Sequence, residues 1–279
     1  MSYKIVVDSC GELPEECRES GRFETVPLSI DIDGYIIVDD ETFDQADFLK
    51  RVAASPNCPK SSCPSPERYM QAFEGEAEHI YVVTLSAELS GSYNSASLAK
   101  KLYKENHSDK KIYVFNSRSA SVGQTLIALK AEACEKAGMT FEETVEAVET
   151  YIEGQNTYFV LESLETLRKN GRLSNLKAFV ATALNIKPVM GATPQGTIIQ
   201  LDQARGINKA LKKMAGIIAK ETKDPQGKIM AISHCNCKER AQMVKEELQK
   251  LMQVKDIIVL DTRGISSLYA NDGGIIVVI

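Results

Sequence analysis

Apolar runs of strand length alternate with amphipathic stretches of helix length along most of this chain. The alternation is typical of repeated βα units, in which helices cover a mostly parallel sheet. It is regular up to about Gly154 and less regular beyond it. We therefore expect an α/β fold with two domains, residues 1–154 and 155–279. The predicted strands are residues 4–8, 25–30, 79–84, 111–115, 157–160, 228–233, 256–260 and 274–279.

Local signals at the ends of the predicted elements support this organisation. Thr140 and Glu143 have the spacing of a capping box, which predicts the first turn of a helix. Gly138 and Gly154 stand where two helices are expected to end. The turn-rich stretch 191–196 predicts a hairpin between two short strands, so the second domain is expected to mix strands and helices.

Composition excludes several classes of protein. The chain has 279 residues, of which 43% are hydrophobic, so it can bury a substantial core. Its formal net charge of -5 offers no broad attraction for a polyanion, and we therefore expect no nucleic acid partner. Neither a secretory signal pattern nor an apolar run of about 18 residues is visible, which favours a soluble cytoplasmic protein.

The seven cysteines are odd in number and scattered, which favours free thiols over a disulfide framework. Cys235 and Cys237 lie beside His234 and leave a metal or redox site open as an alternative. A C-x-C pair cannot fill a tetrahedral zinc site alone, however, and His79 and His107 are far away in sequence. We expect no metal and no cofactor.

Well-known catalytic motifs are missing from the sequence. It contains no phosphate-binding G-x-x-x-x-G-K-[ST] loop, no G-x-G-x-x-G, no H-E-x-x-H and no G-x-S-x-G. A kinase, a dehydrogenase, a zinc protease and an α/β-hydrolase are therefore all disfavoured. A serine relay would have to use His234, which follows the predicted strand 228–233.

Two polar segments in the first half could bind a ligand. Asp8 and Ser9 follow the first predicted strand, where loops of an open α/β sheet form a ligand crevice, although an Asx turn with a helix N-cap is the simpler interpretation. In the segment 60–66, Ser65 and a following proline start a helix. That arrangement leaves the hydroxyl groups of Ser61 and Ser62 free to donate to an anion.

A third segment opens the helix after strand 79–84. Ser90, Gly91 and Ser92 lie at the start of this helix, where free backbone N–H groups and the positive end of the helix dipole favour an anion. Capping alone would need one serine, whereas this cluster offers two hydroxyl groups. We expect an anion site here.

A fourth segment forms a corner between two helices. Gly171 is expected to end one helix in a left-handed conformation, and Ser174 is expected to cap the next. Arg172, held between them, could bind a carboxylate or cap helix carbonyl groups. The helix predicted over 176–184 is apolar nearly all round, which indicates either complete burial or the wall of an apolar cavity.

These segments, taken together in their order, resemble the DegV family. The resemblance spans nearly the whole chain and rests on residues 7–9, 13–14, 61–66, 89–93, 116–117, 123–124, 171–174 and 184–188. Each motif is weak alone, but their common order is specific. The resemblance implies a two-domain fold with a lipid tunnel between an N-terminal parallel βα domain and a C-terminal mixed α/β domain.

The resemblance also implies a function and a set of site residues. Members of the family bind a long-chain fatty acid and serve in bacteria as the lipid-binding subunit of fatty acid kinase. By resemblance, the protein would present the fatty acid carboxylate to an ATP-binding kinase subunit, catalyse nothing itself and contact a membrane surface at most transiently. The residues expected at the carboxylate are Ser61, Ser62, Ser90, Gly91, Ser92, Arg172 and Tyr269.

The sequence departs from the family at three of these positions and leaves an enzymatic alternative open. Ser61 and Ser92 stand where the family usually has threonine, so both keep a hydroxyl donor. Tyr269 stands where the family has a histidine; a phenol can donate a hydrogen bond but carries no positive charge. The alternative is a serine-dependent acyl hydrolase or acyltransferase. In that enzyme Ser61, Ser62 or Ser90 would be the nucleophile and His234 its base.

Overall fold

Three β-sheets with their covering helices form the part of the chain that the computed structural model describes, residues 2–107, 109–173 and 185–279. The helix predicted over 176–184 and its cap Ser174 lie outside the described residues. The strands are β1 Tyr3–Asp8, β2 Phe23–Val26, β3 Ser29–Ile32, β4 Tyr35–Val38, β5 Lys60–Ser62, β6 His79–Thr84, β7 Lys111–Asn116, β8 Thr157–Val160, β9 Ile186–Ala192, β10 Ile198–Arg205, β11 Ile229–His234, β12 Asp256–Asp261 and β13 Ile275–Val278. The α-helices are α1 Glu15–Glu19, α2 Gln45–Ala54, α3 Pro66–Ala72, α4 Ser92–Lys104, α5 Val122–Lys136, α6 Phe141–Glu153, α7 Glu165–Lys169, α8 Ile207–Glu221, α9 Lys238–Leu251 and α10 Gly264–Ala270.

The first sheet is parallel and has the strand order β2-β1-β6-β7. Its strands are buried on both faces, with Ile5 and Val7 in one apolar cluster and Val6 in another. Such burial on both sides explains why these strands read as continuous apolar runs. The direction of the strand order reverses between β1 and β6, so the crevice at their carboxyl ends is the expected ligand position.

The second sheet is mixed and has the order β10-β9-β8-β13-β11-β12. Its neighbouring strands are antiparallel except for the parallel pair β11 and β12. The hairpin predicted around residues 191–196 is confirmed, because β9 and β10 pair antiparallel on either side of this turn. Leu211 and Met214 of α8 and Val244 of α9 cover one face of the sheet. The α/β class with a parallel first sheet and a mixed second sheet is confirmed.

A small antiparallel sheet, in the order β4-β3-β5, differs from the prediction. The single strand predicted over 25–30 is wrong: the chain forms β2 and β3, with Pro27 between them. Proline lacks the N–H group that a continuous ladder needs, so the strand breaks there. The segment around Ser61, expected as a stiff extended loop, forms β5 and pairs with β3.

Helix ends largely follow the sequence signals. The capping box is present, with Thr140 Oγ1 accepting from the Glu143 N–H group and the Glu143 carboxylate accepting from the Thr140 N–H group. Ser65 caps α3 ahead of Pro66, and Gly154 ends α6. No helix in the described ranges has the length and apolar character that crossing a bilayer requires.

Helix α5 joins the two large sheets. One of its faces packs against the first sheet through Ile127 and Ala128, and another packs Val122 and Leu126 against Ala231 and other residues of the second sheet. This double burial explains why the helix has little polar surface over its first two turns. It fixes the carboxyl ends of the first sheet opposite the face of the second.

Candidate functional site

A cavity of about 740 Å³, including its mouth, lies between the carboxyl ends of the first sheet and the second sheet. Its surface is almost entirely apolar, and both halves of the chain contribute. The lining residues are Cys10, Leu85, Leu89, Arg118, Ser119, Ala120, Ser121, Thr157, Phe159, Leu161, Leu167, Arg172, Ala192, Gly196, Ile198, Ile265, Ser266, Tyr269, Ala270 and Ile276.

Four segments that are distant in sequence meet at the mouth of the cavity. Ser61 Oγ on β5 lies 2.8 Å from Tyr269 Oη on α10, within hydrogen-bonding distance. The guanidinium carbon of Arg172 lies 5.7 Å from the centre of the Tyr269 ring. Arg172 Nε donates to the Leu89 carbonyl oxygen at 3.1 Å, which brings in the loop before Ser90. The structure thus brings Ser61, Tyr269 and Arg172 together with the β6–α4 loop.

The corner that carries Arg172 has the predicted conformation. Gly171 adopts a φ of 76°, in the left-handed region that favours glycine. The Gly171 N–H group donates to the Arg168 carbonyl oxygen, and the Arg172 N–H group donates to that of Leu167. This pair of bonds is a Schellman motif. Arg172 Nη1 also donates to the Asn170 carbonyl oxygen at 2.5 Å, so the side chain caps its own helix while other N–H groups stay available.

The loop before α4 presents several backbone donors. Gly91 is the N-cap of α4 and, as a glycine, has no side chain that could cap the helix. Within the described part of the chain, the N–H groups of Gly91, Tyr93 and Asn94 have no protein acceptor. Ser90 Oγ accepts from the Ser92 N–H group at 3.2 Å and keeps its own proton to donate. The start of α4 therefore offers donors at the positive end of the helix dipole.

Two of the serines expected at the carboxylate are directed elsewhere. Ser92 is buried, and its hydroxyl donates to Asp8 Oδ2 at 2.6 Å and lies 2.6 Å from the hydroxyl of Tyr69. Ser62 is exposed and pairs with Ser29, whereas Ser61 pairs with the fully buried Ile30. Successive side chains of a strand point to opposite faces, so Ser62 faces away from the side of β5 that carries Ser61.

Asp8 connects the loops at the carboxyl ends of β1 and β6, where the strand order reverses. Its carboxylate is buried and accepts hydrogen bonds from the Leu85 N–H group, Ser92 Oγ and Gln124 Nε2. Burial raises the pKa of Asp8, and the hydrogen bonds oppose that shift. A contact with the Cys10 N–H group closes an Asx turn, so the simpler interpretation of this segment holds. Asp8 ties the β6–α4 loop to β1 and lies beneath the mouth.

The phenol of Tyr269 is a neutral donor. Burial raises its pKa above the ordinary tyrosine value, although the hydrogen bond to Ser61 and the charge of Arg172 oppose the shift. A raised pKa keeps the proton on the oxygen at neutral pH. Positive charge at the mouth therefore comes from Arg172.

Sequence reasoning missed most of the apolar lining. Phe159 on β8 and Leu161 just beyond it line the cavity, while Tyr158 and Val160 face the opposite core. The alternation is a general strand pattern and does not indicate which face meets a cavity. Ile265 and other residues of α10 were also missed, because an apolar residue in a sequence does not indicate whether it will contact a ligand or only the core.

The geometry does not support the serine hydrolase alternative. His234 Nδ1 lies 3.3 Å from the exposed carboxylate of Asp261 and accepts from the Cys237 N–H group at 3.4 Å. Within the described ranges, no hydrogen bond joins His234 to Ser61, Ser62 or Ser90. In the same ranges, no group of three or more His, Cys, Asp or Glu side chains could hold a metal ion.

Solved structures with the same fold hold fatty acids. The crystal structure of a DegV family protein from Ruminococcus gnavus with vaccenic acid is 59% identical to this chain, covers 100% of both chains and has a TM-score of 0.98. The fatty acid kinase B3 protein of Streptococcus pneumoniae, loaded with linoleic acid, is 36% identical over 100% of this chain and 99% of that chain, with a TM-score of 0.92. A DegV family protein from Eubacterium eligens loaded with heptadecanoic acid is 28% identical over 99% of both chains, with a TM-score of 0.89.

Sequence comparison gives the same relationship. A DegV domain-containing protein of Streptococcus pneumoniae is 37% identical over 279 residues, which span 99% of this chain and 98% of the relative. A DegV domain-containing protein of Streptococcus pyogenes is 37% identical over 278 residues, with the same coverage. The family model for DegV proteins matches residues 2–279. This chain belongs to the DegV family.

Proposed function

We propose that this protein binds one long-chain fatty acid in the cavity and presents its carboxylate to an ATP-binding kinase subunit. The observation that carries the proposal is an apolar cavity whose mouth gathers Ser61, Tyr269, Arg172 and the start of α4. An amphiphile with an acidic end fits this arrangement of donors and apolar surface. Relatives that hold vaccenic, linoleic and heptadecanoic acids support the choice of ligand.

The energetics favour a ligand with a long tail. Burial contributes about 0.8 kcal/mol per CH₂, so a sixteen-carbon chain offers on the order of 10 kcal/mol before ordering costs. An unpaired carboxylate at the mouth would lose several kcal/mol of this gain. The donors at the mouth are therefore needed to keep the acid ionised and bound.

We assign the head group to a subset of the residues expected from the sequence. Ser61, Tyr269, Arg172 and Ser90 supply side-chain donors, and the N–H group of Gly91 supplies a backbone donor. Ser92 contributes indirectly, because its hydrogen bond to Asp8 holds the β6–α4 loop in place. Ser62 takes no part, because its side chain lies on the solvent face of β5.

The same arrangement suits presentation to a partner. Gly91 and Cys63 are both exposed, and a Cβ atom added at Gly91 would lie 3.1 Å from Cys63 Sγ, so these segments form one continuous rim. A carboxylate at this rim can be approached from solvent. The kinase subunit would transfer the terminal phosphoryl group of ATP to a carboxylate oxygen, forming an acyl phosphate and ADP. This protein needs no catalytic group of its own for that reaction.

We also propose a domain boundary at residue 154 and a cytoplasmic location. Strands of the first sheet all precede Gly154, and strands of the second sheet all follow it, which supports the division into 1–154 and 155–279. All seven cysteines are free, as a reducing compartment would keep them.

The fatty acid itself is the first test. Native mass spectrometry of the purified protein, followed by solvent extraction, is expected to show one fatty acid per chain. Adding the loaded protein to a fatty acid kinase subunit and ATP is expected to yield the acyl phosphate. Protein that carries no fatty acid and binds none on titration after delipidation would contradict the proposal, whereas binding without phosphorylation would contradict the kinase partner alone.

A further inference from the structure

Strand β8 runs along the length of the cavity and forms part of one wall. Thr157, Phe159 and then Leu161, just beyond the strand, lie along one wall. A strand rise of about 3.3 Å per residue separates Thr157 from Leu161 by about 13 Å. Beyond Leu161 the chain continues into α7 and the corner that carries Arg172, so Leu161 marks the end of this wall nearer the mouth. Thr157 therefore marks the far end of the cavity.

A thin wall closes this far end. Ser119 Oγ, in the loop after β7, lies 2.6 Å from Thr157 Oγ1 at the start of β8. On the other side is a surface pocket of about 760 Å³. Four residues line both spaces and therefore separate them: Arg118, Ser119, Thr157 and Ala192. We call these four residues the end wall.

The tip of the β9–β10 hairpin holds the end wall in place. Ser86 Oγ donates to the Gly196 carbonyl oxygen at 2.9 Å, and the Ser86 N–H group donates to the Ser119 carbonyl oxygen at 2.8 Å. A Cβ atom added at Gly196 would lie only 2.7 Å from Arg118 Cα. The hairpin tip thus rests directly on the loop that carries Arg118 and Ser119, with no space between them.

We propose that the end wall sets the longest acyl chain that the cavity accepts. The inference rests on the proposed fatty acid function. With the carboxylate held at the mouth, the terminal methyl group of a chain of limiting length meets Ser119, Thr157 and Ala192. A longer chain would have to displace side chains that are joined by a hydrogen bond and held by the hairpin. Removing wall atoms would connect the cavity to the surface pocket and admit further methylene groups.

Two opposite substitutions test the end wall. Thr157→Ala removes wall atoms and is expected to shift the bound population towards longer chains, with relative occupancy rising about fourfold for each methylene group admitted, which corresponds to about 0.8 kcal/mol. Ala192→Leu adds atoms at the half-buried side of the wall and is expected to shift the population towards shorter chains. The measurement is native mass spectrometry of delipidated protein after incubation with an equimolar mixture of saturated fatty acids of twelve to twenty carbons.

Glu153→Ala is the matched control, because Glu153 lines the surface pocket and does not line the cavity. Its chain-length preference is expected to equal that of the unaltered protein. Intact binding with an unchanged preference in both Thr157→Ala and Ala192→Leu would overturn the end wall, and so would an equal shift in Glu153→Ala. Failure of the unaltered protein to bind any fatty acid is a separate result, which contradicts the proposed function.

Discussion

At the scale of single residues, Ser61 and Ser62 are adjacent but lie on opposite faces of β5. Ser61 contacts Tyr269 at the mouth, whereas Ser62 is exposed beside Ser29. A hydrogen bond to a charged group contributes about 1.5–3 kcal/mol. We therefore expect Ser61→Ala to weaken fatty acid binding at least tenfold and Ser62→Ala to leave it unchanged, as measured by titration calorimetry. A loss of affinity in Ser62→Ala alone would place the head group on the outer face of β5, and equal losses in the two variants would contradict the assignment to Ser61.

The charge at the mouth gives a second prediction for single residues. Arg172→Ala removes the guanidinium group that approaches Tyr269 and the Leu89 carbonyl oxygen, and we expect fatty acid affinity to fall about ten- to a hundredfold. Arg168→Ala is the matched control, since Arg168 is exposed and pairs with Glu165 on the same helix. Equilibrium displacement of a fluorescent fatty acid measures both. An unchanged affinity in Arg172→Ala would place the carboxylate elsewhere.

How far the sequence predicts these residues depends on the range of the interactions involved. The positions of Arg172 and Gly91 at helix ends were predictable because helix ends have local signatures in the sequence. The difference between Ser61 and Ser62 was not predictable, because it arises from the pairing of β5 with β3, which lies far away in the chain. The capture of the Ser92 hydroxyl by Asp8 was hidden for the same reason.

At the scale of elements, the turn after α7 couples helix stability to binding. Gly171 has a φ of 76°, which costs a residue with a side chain roughly 1–2 kcal/mol. Gly171→Ala is therefore expected to lower the free energy of unfolding by about that amount and also to weaken fatty acid binding, since Arg172 follows directly. Urea denaturation and titration calorimetry check the two effects.

The capping box of α6 offers a control for that element. Thr140→Ala removes an N-cap hydrogen bond and is expected to lower the free energy of unfolding by about 1 kcal/mol. Thr140 is not among the residues that line the cavity, so fatty acid affinity should stay unchanged. A loss of affinity in Thr140→Ala equal to that in Gly171→Ala would mean that global stability, and not the position of Arg172, governs binding.

Elements with local signatures were predicted well and the others were not. The capping box and the β9–β10 hairpin depend on residues close in sequence, and both were predicted. The edge strand β4 was missed because Tyr35–Val38 is an apolar run of only four residues without alternation, and periodicity alone does not distinguish such a run from part of a helix. Local propensity and hydrophobic periodicity are weak predictors of an exposed edge strand.

At the scale of the whole molecule, a buried polar network crosses from one large sheet to the other. Ser121 Oγ donates to Glu12 Oε2 at 2.6 Å and lies 2.6 Å from Ser233 Oγ on β11. The Arg263 N–H group approaches Glu12 Oε1 at 3.4 Å. No sequence pattern indicates this network, since its members are single residues on four separate segments. Together with α5, it fixes the relative position of the sheets that enclose the cavity.

This network makes stability depend on pH, because burial raises the pKa of Glu12 from 4.5 to about 7. Between these values the folded chain holds a proton that the unfolded chain has lost, so the free energy of unfolding decreases as pH rises from about 4.5 to 7. A shift of this size corresponds to at most about 3 kcal/mol. Asp39, whose pKa burial raises to about 6, adds a decrease of the same sign over a lower range.

Substituting the carboxyl group should remove the contribution of Glu12 to this dependence. Glu12→Gln keeps an oxygen that can accept from Ser121 but does not titrate, so we expect a smaller loss of stability between pH 5 and pH 8 than in the unaltered protein. Glu15→Gln neutralises an exposed carboxylate three residues further along the chain. This control should show the same decrease in the free energy of unfolding between pH 5 and pH 8 as the unaltered protein. Urea denaturation of delipidated protein at the two pH values measures the difference. Should Glu12→Gln lose as much stability as the unaltered protein, Glu12 would be charged in the folded state, and the contact between the two sheets would have to be held by an ionised carboxylate.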